Sequence, residues 1–276
     1  MVEDIKVLEE LNNRLKKNEA VAMVTITDVK GSTPRGIGSV MLVDSSGNLL
    51  IGTVGGGILE SELKKEAVNC IKRRKSLSVN YKLDDSAVVF NALPMTCGGD
   101  ISLFIKVFYP REKLIIAGAG HIAEKLSKMA FLLGYAVTVL DNRKERLNKE
   151  IFPDIEELIH GNIAKNIKEL DVDDNTLIII VTHGHAFDQD VLEVVLGGKA
   201  KYIGMIGSIN KIKTCFKNLL EKGFSKEELS KVYTPIGVDL GGESPEEIAL
   251  SIMAQIQALK YDKEVSHLSN MATKLD

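Results

Sequence analysis

The 276-residue sequence has few cysteines, no charge excess and no long hydrophobic run, and each absence excludes a class of protein. Its three cysteines, Cys70, Cys97 and Cys215, are too widely spaced for a disulfide framework or a zinc knuckle. A formal net charge of −3 gives no reason to expect nucleic acid or an anionic membrane as partner. No apolar run approaches the roughly 18 residues of a membrane span. We therefore expect a globular, cytoplasmic protein.

The sequence pattern changes at a short polar joint, residues 109–113, which we take as a boundary between domains at 1–109 and 112–276. The acidic, amphipathic N-terminal segment is unlike a secretory signal, and strands, glycine turns and one helix over 58–75 follow it. After the joint, helical stretches alternate with apolar runs that are typical of buried parallel strands, at 114–117, 135–140, 177–181 and 202–206. This pattern predicts an α/β protein with a C-terminal Rossmann-like, doubly wound parallel sheet and a smaller N-terminal α+β domain.

The most informative motif is a glycine-spaced turn that follows the first of these apolar runs. Gly118 allows a tight turn, Gly120 lets backbone N–H groups approach a pyrophosphate, and Ala123 keeps the following helix close to the strand. The next strand ends on Asp141, 23 residues after Gly118, where an acid accepts a hydrogen bond from a ribose hydroxyl. Arg143 can instead accommodate a phosphate, so the choice between NAD and NADP stays open.

Ligands of an open α/β sheet bind beyond the carboxyl ends of its strands, and this rule selects further candidate residues. His121 either faces the phosphates or bonds to backbone at the start of its helix. His183 and His185 are candidates for contacts with a cofactor or substrate, and a structural role is the alternative. With Asp188 they also suggest a metal site, although the sequence has no further histidine-rich segment to supply the remaining ligands. Gly207 follows the last apolar run.

Three glycine-rich loops in the first half favour a second site, at 31–39, 55–60 and 95–100. The guanidinium of Arg35 is a planar fork suited to phosphate, and the glycines ahead of the helix can present N–H donors to an anion. Any one of these loops is better explained as a hairpin turn. Together, with Arg35, Glu60 and Cys97, they are better explained as a site.

Cys97 differs from the other two cysteines. It lies in an irregular loop where an exposed thiolate can serve soft metals or sulfur transfer, although an inert loop cysteine is the alternative. Cys70 and Cys215 fall within helical patterns, and we expect both to be buried packing residues.

Seven segments, in this order, resemble the XdhC/CoxI family of xanthine dehydrogenase accessory factors, which take part in the maturation of molybdenum hydroxylases. They are GSTPRGIGS (31–39), GTVGGGILE (52–60), MTCGGD (95–100), IIAGAGHIA (115–123), LDNR (140–143), YIGMIGS (202–208) and PIGVDLGGESPEEIALSI (235–252). The resemblance extends over nearly the whole chain.

The resemblance implies binding of molybdenum cofactor (molybdopterin), its sulfurated form included, and delivery to a xanthine dehydrogenase-type molybdoenzyme. The residues that match are Arg35, Gly38, Glu60, Cys97, Gly98 and Gly99 in the first half, and Gly118, Gly120, His121 and Asp141 in the second. The chain departs from the family at 55–57, where three glycines replace a segment that often contains Ser or Cys. It also has Gly-Ser-Ile-Asn-Lys at 207–211 in place of the common Gly-Ser-Arg-Arg-Lys.

Three hypotheses follow from these observations. The first is a binding and delivery factor for molybdenum cofactor, with a cysteine desulfurase as a further candidate partner and a homodimer as a candidate assembly. The second is an NAD(P)-dependent oxidoreductase with His183 or His185 as the acid–base group. The third is a metal hydrolase. A complete xanthine dehydrogenase is excluded, because three scattered cysteines cannot hold even one four-cysteine iron–sulfur cluster.

Overall fold

The computed structural model describes residues 2–83, 92–93, 99–183 and 185–267. The chain divides into two compact units, Met1–Arg111 and Glu112–Asp276. The first unit contains α1 (Val2–Lys16), β1 (Val21–Lys30), β2 (Val40–Asp44), β3 (Leu49–Gly52), α2 (Gly57–Arg73), β4 (Leu77–Leu83), β5 (Ala92–Leu93) and β6 (Gly99–Phe108). The second contains β7 (Lys113–Ala117), α3 (His121–Leu132), β8 (Ala136–Asp141), β9 (Glu157–His160), α4 (Ile163–Glu169), β10 (Thr176–Ile180), α5 (His185–Val195), β11 (Tyr202–Met205), α6 (Ile209–Glu221), α7 (Lys226–Ser230), β12 (Val232–Tyr233) and α8 (Pro245–Lys260).

The first unit is a six-stranded sheet with a core on each face. Its strand order is β3-β2-β1-β6-β4-β5, and the pairs are antiparallel except β4 with β5. Successive side chains of a strand point to opposite faces, so Ala22, Val24 and Ile26 pack with helix α2 while Val21 packs with α1. Both faces are thereby covered.

Helix α2 begins and ends with residues whose backbone conformation suits a helix end. Gly56 is the N-cap, and Arg74 closes the helix in a left-handed conformation, where its N–H bonds to carbonyl groups of the last turn. Two basic residues, Lys72 and Arg73, lie in the last turn, where cations interact favourably with the negative end of the helix dipole.

The second unit is a six-stranded, fully parallel sheet with strand order β12-β11-β10-β7-β8-β9. Numbered within the unit, this order is 6-5-4-1-2-3, the arrangement of a doubly wound dinucleotide-binding fold. The chain reverses its winding between β7 and β10, which makes their carboxyl ends the topological switch point. The predicted fold class is confirmed.

The sheet of the second unit separates two cores, which explains the continuous apolar runs in its sequence. Ile116 and Ile179 face the core that contains α3 and α8, whereas Ile115 and Ile178 face the core that contains α4, α5 and α6. A strand buried on both faces has no polar side to alternate with.

The apolar runs predicted as buried parallel strands are confirmed as β7, β8, β10 and β11. Ser225 and Ser244 each form a full capping box with the glutamate three residues later. Within the described residues, no helix combines the length and apolar character that crossing a bilayer requires.

A buried carboxylate anchors the amino edge of the parallel sheet. Glu112 is 6% exposed and contacts Lys201 Nζ at 2.6 Å and Lys260 Nζ at 2.7 Å. Burial raises the pKa of Glu112, but the hydrogen bonds from the two lysines outweigh this effect and leave the pKa below its ordinary value. The ionised group thus links the start of β7 with the segment before β11 and the end of α8.

Candidate functional site

The glycine turn between β7 and α3 combines one sterically closed position with one open position. Gly118 has φ +112°, and a Cβ there would lie 2.5 Å from the carbonyl oxygen of Val181. Gly120, the N-cap of α3, has φ −79°, and a Cβ there would meet nothing within 4 Å. Gly118 is therefore required by the packing of β7 against β10, whereas Gly120 leaves the helix N-terminus accessible.

Asp141, at the carboxyl end of β8, has its carboxylate saturated by donors of the protein itself. Oδ1 accepts from the backbone N–H of Arg143 at 2.8 Å and from its Nε at 2.9 Å. Oδ2 accepts from the backbone N–H of Ala119 at 2.6 Å and from Arg143 Nη2 at 2.8 Å. A carboxylate offers about four lone-pair directions. All are used here, in the position predicted to accept a ribose hydroxyl.

The environment of Asp141 keeps it ionised. Burial, with 2% of the residue exposed, raises its pKa. The hydrogen bonds from Arg143 and Ala119 lower the pKa by more, so it ends below its ordinary value. Asp141 therefore fixes the glycine turn through Ala119 and holds Arg143 at the edge of the crevice.

A second arginine contacts the same turn and retains a buried donor. Arg146 Nε donates to the carbonyl oxygen of Ala119 at 2.9 Å. Its Nη2 is buried and has no hydrogen-bond partner among the described residues. His121, the first residue of α3, is exposed beside this turn. An unpaired cationic donor next to an uncapped helix N-terminus is an arrangement suited to an anion such as phosphate.

The segment after β10 contains an aspartate that forms a buried ion pair. His183 is exposed, and His185 begins helix α5. Asp188 is 1% exposed, accepts from Thr182 Oγ1 at 2.5 Å and pairs with Lys211 Nζ. Its carboxylate is thus engaged by a cation of the protein, and no group of three potential metal ligands occurs within the described ranges.

A cavity of about 660 Å³ lies beside this ion pair, between α5 and α6. Gly207 makes room for the cation, because a Cβ there would lie 3.2 Å from Lys211 Cδ. Cys215 lines the cavity but is buried, as predicted, and burial raises its pKa to about 11. Its thiol is therefore protonated at neutral pH. Cys70 is buried as well.

In the first unit, Glu60 organises the glycine loop ahead of α2. Its Oε1 accepts from Thr53 Oγ1 at 2.5 Å, from Val54 N–H at 3.0 Å and from Gly56 N–H at 2.9 Å. Burial raises the pKa of Glu60, but these hydrogen bonds leave it lowered overall. Glu60 points back into its own loop and fixes the conformation of the loop.

The glycine loops of the first unit meet in space. A Cβ on Gly55 would lie 2.8 Å from Pro34 Cβ, and a Cβ on Gly99 would lie 2.4 Å from the carbonyl oxygen of Ser32. Both contacts involve the loop at 31–39. Arg35 and Gly38 of that loop line a cavity of about 540 Å³, together with Lys6 of α1 and Thr53. Cys97 and Gly98 lie outside the described residues.

The structure adds participants that the motifs do not single out, namely Arg146, Thr182 and Lys211. Arg146 lies in a 3₁₀ turn five residues after Asp141, within a basic run that is typical of a solvated surface. Lys211 is the last residue of the Gly-Ser-Ile-Asn-Lys segment at 207–211. A lysine at this place in the sequence could have indicated a partner for Asp188.

These features define a class of protein with two units. One is a doubly wound parallel sheet whose crevice is of the kind that binds nucleotides, and the other contains the glycine-rich loops. The model of the XdhC Rossmann domain matches residues 114–256, and that of the XdhC and CoxI family matches residues 14–82. The first match spans just over half of the chain, and the chain therefore belongs to this family. The predicted resemblance is confirmed.

Curated relatives carry three different names. Uncharacterized protein YqeB of Escherichia coli is 31% identical over 89% of this chain and 44% of its own length. A Bacillus subtilis protein named as a probable xanthine dehydrogenase subunit is 30% identical over 56% of this chain and 45% of its own. The molybdenum cofactor insertion chaperone PaoD of Escherichia coli is 20% identical over 91% of this chain and 86% of its own. The chain thus spans less than half the length of the first two.

A solved structure shares the fold. The crystal structure of a xanthine dehydrogenase from Bacillus halodurans has a TM-score of 0.52 and 24% identity, over 95% of this chain and 97% of that one. At this identity the likeness supports the fold alone.

Proposed function

We propose that the chain is an accessory factor that binds molybdenum cofactor and delivers it to a molybdenum hydroxylase of the xanthine dehydrogenase type. The observation that carries the proposal is the glycine turn at 118–120. It offers an open helix N-terminus and the unpaired Nη2 of Arg146. The neighbouring carboxylate of Asp141, where a ribose hydroxyl would bind, already accepts hydrogen bonds from Arg143. The relative named as an insertion chaperone supports the same role.

The residues at this turn fit the terminal phosphate of molybdopterin. Backbone N–H groups at the start of α3 and the guanidinium of Arg146 would hold the phosphate, with His121 exposed beside them. Bound cofactor supplies the molybdenum centre with which the receiving enzyme hydroxylates its substrate.

An NAD(P)-dependent oxidoreductase fits the same turn less well. A ribose diol needs a carboxylate acceptor at Asp141, and all lone-pair directions of that carboxylate are used by the protein. His183, one of the two histidines predicted as acid–base group, is exposed to solvent.

The loops of the first unit form a second candidate site. Arg35 and Gly38 line its cavity of about 540 Å³, Gly99 packs against the same loop, and Glu60 fixes the neighbouring loop. Cys97, beside Gly98, would serve the sulfurated molybdenum as a soft ligand. A cysteine desulfurase as sulfur source and a homodimer are further parts of the hypothesis.

The experiment is a transfer assay. The chain is purified anaerobically from cells that make molybdenum cofactor and is mixed with a cofactor-free molybdenum hydroxylase. We expect hydroxylase activity to rise with added chain, and Cys97→Ala to reduce the yield. The proposal fails if the loaded enzyme forms no faster with the chain than with free cofactor alone.

A further inference from the structure

The crevice of the parallel sheet differs on the two sides of the switch point. On the β8 side, Arg143 and Ala119 saturate Asp141. On the β10 side lies the cavity of about 660 Å³. A ligand that places its phosphate at the turn of α3 can extend its remainder toward this cavity, between α5 and α6.

The cavity lies where wound sheets bind their ligands. Its wall includes Met205, the last residue of β11, and Ser208, the N-cap of α6, so it opens beyond the carboxyl ends of the strands. Thr182 connects it to the glycine turn. A Cβ on Gly118 would lie 2.9 Å from Thr182 Cα, and the Thr182 hydroxyl donates to Asp188 in the cavity wall.

The cavity wall contains a buried ion pair that packing alone does not require. Asp188 and Lys211 have side chains that are 1% and 15% exposed. Replacing a buried ion pair with apolar residues of similar volume is often neutral or stabilising. Asp188 Oδ2 has Lys211 as its one polar contact among the described residues. A carboxylate acceptor and an ammonium donor therefore stand side by side at the cavity.

The remaining lining suits a flat, nitrogen-rich ring. Cys215 supplies a polarisable group at the wall, with Met205 buried behind it, while Asn210 and Asn218 carry amides that can both donate and accept. Ligand pockets are typically apolar with a few convergent polar groups, and their volumes run from about 300 to 1,000 Å³.

We propose that the cavity between α5 and α6 binds the heterocyclic ring of the ligand, a pterin in the function proposed above. Asp188 and Lys211 read the donor and acceptor atoms along the edge of the ring. The ligand extends from α3 across the switch point toward α6, away from Asp141. This inference rests on the proposed function for the identity of the ring.

The test uses two probes on the full chain, 6-hydroxymethylpterin and its monophosphate ester, followed by the intrinsic fluorescence of the pterin. Thr214→Phe fills the cavity from an exposed position on α6. Lys217→Phe is the matched control, because Lys217 lies on the same helix, is 77% exposed and does not line the cavity. Asp188→Asn removes the charge while keeping the shape of the side chain.

We expect Thr214→Phe and Asp188→Asn to weaken both pterin probes at least tenfold, while Lys217→Phe stays within twofold of wild type. Pterin affinity that Thr214→Phe leaves within twofold of wild type overturns the inference. If cofactor transfer nevertheless proceeds, the proposed function stands and only the location of the ring is wrong. A wild-type chain that binds neither probe and retains no pterin overturns both.

Discussion

Arg143 grips the carboxylate of Asp141 with two parallel hydrogen bonds, Nε to Oδ1 at 2.9 Å and Nη2 to Oδ2 at 2.8 Å. The two residues are two positions apart, so the negative charge of the carboxylate at the end of β8 is balanced by an arginine that follows directly in the chain. Two-point arginine–carboxylate pairs are among the stronger hydrogen-bonded contacts in proteins. The Asp141 carboxylate is thereby engaged by the protein at the position where a ribose hydroxyl was predicted to bind.

Freeing Asp141 should increase the affinity of the chain for a dinucleotide. Arg143→Ala removes the two guanidinium donors to the carboxylate, so the acid can accept from a ribose diol. We expect NADH binding to tighten at least tenfold, measured by NADH fluorescence. Saturable NADH binding to wild type, weakened by Asp141→Ala, would contradict this account.

The two glycines of the turn should respond differently to alanine. Gly118→Ala introduces a side chain at φ +112° against the carbonyl of Val181 and should lower the free energy of unfolding by at least about 2 kcal/mol. Gly120→Ala has φ −79° and open space, so we expect a loss below about 1 kcal/mol. Urea unfolding compares the two variants. Equal losses would show that the turn is packed differently.

Replacing Glu60 should lower the free energy of unfolding by more than replacing an exposed glutamate of the same helix. Glu60→Ala leaves the N–H groups of Val54 and Gly56 without their acceptor, and we expect a loss of about 2 kcal/mol or more. Glu62→Ala is the control, because Glu62 pairs with Lys65 at the surface and should cost about 0.5 kcal/mol or less. Thermal unfolding of both variants gives the comparison, and similar melting temperatures would refute the role assigned to Glu60.

The pair of lysines around Glu112 predicts a pH-dependent stability difference. Because the folded-state pKa of Glu112 is lowered, its contribution is complete above the unfolded pKa, about 4.3, and is lost as pH falls through the folded value. Glu112→Gln should cost about 2–3 kcal/mol at pH 7, and this difference should shrink below pH 4. Denaturant unfolding at both pH values measures it, with exposed Glu150→Gln as control. A difference that does not change with pH would mean that Glu112 does not act through its charge.

The fold could be predicted because its signals are local and repeated. The glycine turn and the apolar runs identified the parallel sheet. The strands β5 and β12 were not predicted, because two residues carry no periodicity.

The site could be predicted only in part, because a motif gives the place of a side chain and not its partners. The spacing from Gly118 placed Asp141 at the end of β8. Its hydrogen bonds to Arg143 and Ala119 depend on the conformation of the segment after β8 and of the turn before α3. Likewise, Asp188 and Lys211 lie 23 positions apart on different helices, and only the packing of α5 against α6 brings them together. Such pairings leave no pattern in the sequence.

Binding of molybdenum cofactor is tested by the amount of pterin that remains with the chain after anaerobic purification from cells that make the cofactor. We expect denaturation to release pterin in an amount comparable to the protein. Gly120→Val, which places a branched side chain at the open position of the turn, should reduce this amount at least tenfold. Wild-type protein free of pterin but loaded with NAD or NADP would contradict this expectation.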